Sequence, residues 1–212
     1  MKTADLINAL AAEAAAPPAR LGRRVALALA VGAAISATLF MAALGPRPDF
    51  AAAARTIRFD LKFVDALALL APSALLAWRL LRPDARPRAL IATLIAPFAL
   101  LFGAVAVELM VTPPALWGAR LVGHNALHCL TLIPLMSIPP LAGLIAAMRA
   151  GAPQYPALTG ALAGAAAAGI AATIYATNCT DDSPLFVASW YPLATLIVVA
   201  AGALAGRKWL QW

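Results

Sequence analysis

Six stretches of the chain run apolar for about the twenty residues a helix needs to cross bilayer hydrocarbon. They are 25–44, 63–81, 89–111, 121–148, 157–177 and 185–205. Gly45-Pro46-Arg47-Pro48 closes the first, and the polar, Ala-containing stretch 49–60 predicts a short helix lying on the outer surface. The second span carries Asp65 near one end and Arg79 near the other. Beyond it, Pro83 and Pro87 forbid helix continuation in a basic turn. Thr112-Pro113-Pro114 stops the third span, and the long fourth contains Pro134, Pro139 and Pro140, which predict a bend. A tight turn at 149–153 and the polar segment 178–184 flank the fifth. The pattern predicts an all-α, polytopic membrane protein of six transmembrane helices: residues 1–24 as a cytoplasmic N-terminal tail, 25–205 as the membrane domain and 206–212 as a C-terminal anchor.

Composition supports this reading. The chain has 212 residues, 63% of them hydrophobic and 12% charged, with a mean hydropathy of +0.86. A soluble domain of that size cannot hide so much apolar surface, which excludes a soluble enzyme or regulator, and disorder is excluded by the same figures. The net charge of +7 raises nucleic acid as a partner, but the placement of the cations explains it better. With both termini inside, Lys2, Arg20, Arg23, Arg24, Arg79, Arg82, Arg86, Arg88, Arg149, Arg207 and Lys208 are cytoplasmic, eleven of the sixteen Lys and Arg. Arg47, Arg55, Arg58, Lys62 and Arg120 are outside. The bias predicts an N-in/C-in topology in a bacterial inner membrane and no direct binding of nucleic acid. Residues 1–24 are polar and Ala-rich, unlike a cleavable signal.

That topology gathers distant polar residues into one outer layer. Glu108 lies at the end of the third span, His124, His128 and Cys129 at the start of the fourth, and Cys179, Asp181 and Asp182 beyond the fifth. His124 and His128, spaced i, i+4, face one side of a continuous helix. Thiolate, imidazole and carboxylate together suit zinc or a softer ion. The expected metal set is Cys129 and Cys179 with His128, Asp181 and His124, and with Glu108 and Asp182 in reserve. Plainer readings stand beside it. A free cysteine is often a small buried hydrophobe, a histidine there sits at headgroup level, Glu108 snorkels, and Asp181-Asp182 before Ser183-Pro184 caps the sixth helix. Gly160, Gly164 and Gly169 in an Ala-rich helix predict close helix packing. No metalloprotease helix, P-loop or nucleophile elbow is present, and ionisable residues are nearly absent from the middle of the predicted spans.

In the tail, Thr3 and Asp5 suit a helix start and Pro17-Pro18 an end. Leu6, Ile7 and Leu10 form an apolar stripe, with Asp5 beside it, on a helix too short to be stable alone in water. It is read either as a recognition helix that orders in a partner's groove or as a surface helix resting on the bilayer.

Several runs carry a resemblance: Met1-Lys2-Thr3-Ala4-Asp5-Leu6-Ile7, Trp117-Gly118-Ala119-Arg120-Leu121-Val122-Gly123-His124-Asn125-Ala126, Cys129-Leu130-Thr131-Leu132-Ile133-Pro134, Arg149-Ala150-Gly151-Ala152-Pro153, and Cys179-Thr180-Asp181-Asp182-Ser183-Pro184-Leu185-Phe186-Val187 with Trp190-Tyr191. Over essentially its whole length the chain resembles the NrsF-like family of six-span bacterial inner-membrane anti-sigma factors. Cys-x-Asp-Asp-Ser-Pro is the most specific part. The resemblance implies a regulator of transcription in the stress response. Its N-terminal segment would hold an extracytoplasmic-function sigma factor, and Cys129 and Cys179 would sense heavy-metal ions or oxidants. Asn178 stands where the family often carries His. Expected partners are therefore that sigma factor, the lipid bilayer and the signalling ions or oxidants. Zinc is the expected ligand of the resting thiols, with no organic cofactor and no enzymatic role. The rival readings are a heavy-metal-binding membrane protein or transporter, and an envelope thiol redox enzyme.

Overall fold

The computed structural model describes Thr3, Asp5, 21–82 and 91–211. Thr3 and Asp5 are helical and exposed; Leu6, Ile7 and Leu10 lie outside the described residues. Among the described residues the fold is all-helical: α1 (Leu21–Ala43), the single-turn α2 (Phe50–Ala53), α3 (Ile57–Arg79), α4 (Ile95–Val111) entered through a 3₁₀ turn at Ala92–Leu94, α5 (Trp117–Val122), α6 (Ala126–Met148), α7 (Pro156–Ala176) and α8 (Pro184–Trp209). Six helical stretches are long and apolar enough to cross a membrane.

The distribution of side chains suits lipid as the surrounding solvent. On α1, Val25, Gly32, Ser36 and Phe40 face inward, while Leu27, Val31, Ile35 and Leu39 are each about half exposed. Small and polar residues thus face the bundle and leucines face out, as expected where lipid tails are as apolar as the core. The Ser36 hydroxyl donates to the Met136 carbonyl of α6 at 2.7 Å. That carbonyl is available because Pro140, four residues on, has no N–H to give it. A Cβ on Gly32 would meet Pro140 Cα at 2.4 Å, so α1 and α6 touch at backbone distance.

α7 is the axis of the bundle. It packs against α8, α3, α6 and α1, and Gly160 through Ala172 are almost continuously buried. Its sequence, Gly160-Ala-Leu-Ala-Gly164-Ala-Ala-Ala-Ala-Gly169, makes that possible. A Cβ on Gly160 would fall 2.2 Å from the Gly202 carbonyl of α8, and one on Gly169 would lie 3.0 Å from the Ala66 carbonyl of α3. α4 stands apart, with most of its surface exposed.

Two boundaries near the site differ from the sequence expectation. The second span begins at Ile57, six residues early, because the Thr56 hydroxyl caps it by accepting from the Phe59 amide at 3.4 Å. Lys62 and Asp65 therefore lie inside a spanning helix, correcting the assignment of Lys62 to the outer surface and of Asp65 to a helix end. The fourth span is two helices, because Gly123 breaks it with φ +58°. His124 then precedes α6 and shares no helical face with His128. The three prolines all lie within α6, which continues through them.

Gly160→Leu and Gly202→Leu should each lower stability by about 1–3 kcal/mol or more through overpacking. Gly103→Leu, whose Cβ would meet nothing within 4 Å, should be tolerated. Thermal unfolding of the detergent-purified variants checks the contrast.

Candidate functional site

The segments 44–56, 112–125 and 177–183 meet at one end of the bundle, and 177–183 is their hub. α7 ends at Ala176, and the Asn178 and Cys179 amides both donate to the Tyr175 carbonyl, at 2.9 and 3.1 Å. Loop 44–49 is strapped on from the side: the Arg47 amide donates to the Thr177 carbonyl at 3.0 Å, and the Asn178 side-chain amide to the Gly45 carbonyl at 2.9 Å.

Three carboxylates organise the rest. Lys62, fully buried, donates to the Cys179 carbonyl at 2.9 Å and to Asp182 Oδ1 at 2.5 Å. Arg47 reaches the same two groups, at 3.3 Å and 2.8 Å, and also pairs with Asp49. Both cations lie over the Phe59 ring, at 5.0 and 5.9 Å. Asp182 is thus neutralised from two sides rather than capping α8, whose N-cap is Ser183. Asp181 caps another helix. Its Oδ2 accepts from the His124 amide at 2.9 Å and from the Asn125 amide and side chain at 2.8 Å each. These are the amides freed where Gly123 breaks the chain. A Cβ on Gly123 would meet Asp181 Cγ at 2.8 Å, so glycine serves both the turn and the approach. Burial pushes the Asp181 pKa up, but these hydrogen bonds outweigh it and hold the carboxyl below its usual range. Glu108 is buried and bonded to Arg58, Arg120 and the Ser183 hydroxyl. It does not snorkel.

Beneath this charged layer the two thiols meet. Cys129, in the first turn of α6, and Cys179 are both fully buried, free of a disulfide and hydrogen-bonded to each other. Cys179 Sγ also lies 3.8 Å from the Asp181 carbonyl. Tyr175 and Tyr191, whose ring centroids are 6.3 Å apart, belong to the same buried cluster. The Cys129 hydrogen bond lowers the Cys179 pKa, burial opposes it and the Lys62 charge adds to the lowering, bringing Cys179 down to about 7. One sulfur is therefore poised near neutrality to act as a thiolate, the nucleophilic and metal-binding form.

The remaining sequence candidates do not join the thiols. The His124 side chain is 95% exposed, 3.6 Å from Asp181, and His128 is exposed on the outer face of α6. Asp181 is spent on amides. Among the described residues no group of three or more His, Cys, Asp or Glu is placed to hold a metal, so the two sulfurs fall short of the four donors of a zinc centre. Arg47, Lys62 and Phe59, which complete the site, were hidden in what reads as a polar outer loop. The only sequence signal for them was a cation just short of a predicted span.

A model of the NrsF family, described as negative regulator of sigma F, matches residues 10–212. The chain belongs to the NrsF family. Two relatives cover it from end to end and are themselves covered in full. The probable anti-sigma-F factor NrsF of Azospira oryzae is 34% identical over 213 residues, and the anti-sigma-F factor NrsF of Caulobacter vibrioides is 33% identical over 222. No solved structure matches. NrsF membership makes the chain a member of a regulatory family. The family match begins at Leu10, so most of the stripe expected to bind the partner precedes it.

Alkylation of Cys179 should accelerate as pH rises through about 7, because the thiolate forms above its pKa. Lys62→Met removes the facing charge and should slow the reaction at pH 7 by about tenfold, moving the midpoint to higher pH. Site-resolved mass spectrometry after iodoacetamide pulses reads both changes.

Proposed function

We propose that this protein is a membrane-embedded anti-sigma factor. Its N-terminal tail sequesters an extracytoplasmic-function sigma factor, and its buried thiol pair releases that factor when oxidised or bound by a soft heavy-metal ion. The observation that carries the reading is the meeting of Cys129 with Cys179, fifty residues apart in sequence, in a chain of the NrsF family. The excess of basic residues in the tail and at the opposite end of the bundle supports an N-in/C-in topology in the bacterial inner membrane, with the thiols on the periplasmic side.

Two signals suit the pair. An oxidant takes two electrons and two protons from the thiols and leaves a disulfide between α6 and the loop after α7. A soft ion displaces the thiol protons and binds between the two sulfurs. Either event changes how α6 is tied to the hub. α6 carries the Ser36–Met136 bond and the Gly32–Pro140 contact to α1, the helix that follows the tail in the chain. Repacking this interface changes the posture of the tail, with Leu6, Ile7 and Leu10 forming the binding stripe and Asp5 flanking it. A tenfold loss of affinity needs only about 1.4 kcal/mol of coupling.

Leu6→Asp or Leu10→Asp should free the sigma factor, lowering its co-purification at least tenfold while membrane insertion is unchanged; wild-type yield with both substitutions sinks the tail assignment. Cys129→Ser with Cys179→Ser should keep the sigma factor bound and leave a sigma-dependent reporter silent to oxidant and cadmium. For the topology, a single cysteine at exposed position 54 in that background should react with a membrane-impermeant maleimide on intact spheroplasts.

A further inference from the structure

A second feature without a partner lies away from the thiols' charged lid. Because α4 stands off from α7, an elongated apolar slot of about 370 Å³ opens between α3, α4, α7 and α8. Its α7 wall runs from Leu158 to Ala172, about 21 Å at the helical rise. Leu158, Phe98 and Leu196 on its rim are about half exposed, so the slot opens sideways to the lipid rather than to water. The volume is within the range of small-molecule sites, about 300–1,000 Å³.

Asp65, Ser73 and Tyr191 stand as polar residues in this apolar wall. Asp65 Oδ1 and the Ser73 hydroxyl are buried side-chain polar atoms without a hydrogen-bond partner among the described residues, while the Tyr191 hydroxyl lies against Cys179. An unsatisfied buried polar atom costs about 1–3 kcal/mol, and two on the α3 wall of one slot point to a ligand that supplies the missing bonds. Asp65 lies eight residues into α3 and Ser73 eight further, so the bonds fall well inside the hydrocarbon depth. A charged headgroup is excluded at that level by its desolvation cost. A helix from a second copy fits poorly, because its backbone amides and carbonyls are already paired. The ligand's head must be uncharged and must both accept from a hydroxyl and donate to a carboxyl oxygen. Phe98 and Tyr191, both in the wall, offer ring surface for a flat head to stack on.

From this geometry we propose that the slot binds an isoprenoid quinone or its quinol, with the oxygenated ring between Asp65 and Ser73 and the tail leaving toward the lipid. The quinol hydroxyl donates to Asp65, and a ring oxygen accepts from Ser73. Ala66, Leu101, Ala172 and Tyr191 also belong to the cluster that holds Cys129 and Cys179, so slot and thiols share one packed wall. Quinone binding in the slot is independent of the sigma-factor reading and stands whether or not that reading holds.

The test uses the full chain in phosphatidylcholine nanodiscs, with ubiquinone-1 and its reduced form as probes and protein-free nanodiscs as the partition blank. The expected result is saturable binding of one molecule per chain above that blank. Asp65→Leu and Ala165→Phe, the second filling the slot, should each weaken binding at least tenfold. Asp65→Leu should also raise the unfolding temperature, because it removes an unpartnered polar atom; a merely structural carboxylate would lower it. Ser73→Ala, too mild to disturb folding, should weaken binding severalfold and keeps the test decisive if a larger substitution misfolds. Binding no greater than the blank, wild-type affinity in Ser73→Ala and Asp65→Leu, or equal displacement by decanol, which has a tail but no ring, overturns the proposal. So does a stable dimer in which a second copy fills the slot.

Discussion

The structure depends on a central helix that has almost no side chains. Ala and Gly over the buried length of α7 let the backbones of α3 and α8 approach within contact of its own. Helix association in lipid gains little from expelling water and relies on close van der Waals contact and on polar bonds between helices. The consequences reach beyond stability. A helix surrounded by the others delivers the segment after it to the middle of the bundle's end. In this chain that segment is Thr177 to Ser183, with Cys179 near its centre.

Bringing that loop inward buries charge, and the protein meets the cost by local neutralisation. Asp182 faces Lys62 and Arg47, Glu108 faces Arg58 and Arg120, and Asp181 faces the amides that open α6. Removing Asp182 would leave the fully buried Lys62 uncompensated, typically a loss of about 3–5 kcal/mol. The arrangement is therefore stiff. It also gives the two thiols unequal surroundings, because the Lys62 charge and the hydrogen bond from Cys129 both favour the ionised form of Cys179. A disulfide or a bridging ion has to form beneath this lid, since neither sulfur is exposed. A polar cleft of about 330 Å³ lined by Arg120, His124, Thr180 and Asp181 opens in the lid.

The break at Gly123 and the run of prolines in α6 show how backbone exceptions become tertiary contacts. Gly123 frees two amides, and Asp181 takes them. Pro140 leaves the Met136 carbonyl without its helical donor, and Ser36 takes it. Each exception thus binds a distant segment, one at the thiol site and one along the interface between α6 and α1.

The six apolar runs, their order and the packing role of the glycines in α7 were legible in the sequence. They rest on properties that each residue carries alone: the cost of exposing a peptide group to lipid, the length of a helical rise, the absence of a Cβ. The co-location of Cys129 and Cys179 at one end was legible too, because alternating spans leave few choices. The tertiary structure decided which polar groups are spent on one another. Whether His128 faces Cys179, whether Asp181 keeps a free oxygen, and whether Lys62 belongs to water or to the core all turn on helix rotation and on where a span begins. A shift of six residues at Ile57 turned Lys62 from a surface cation into the buried counter-charge of Asp182. Such pairings depend on distances of a few ångströms between segments far apart in the chain, and no local pattern of residues encodes them.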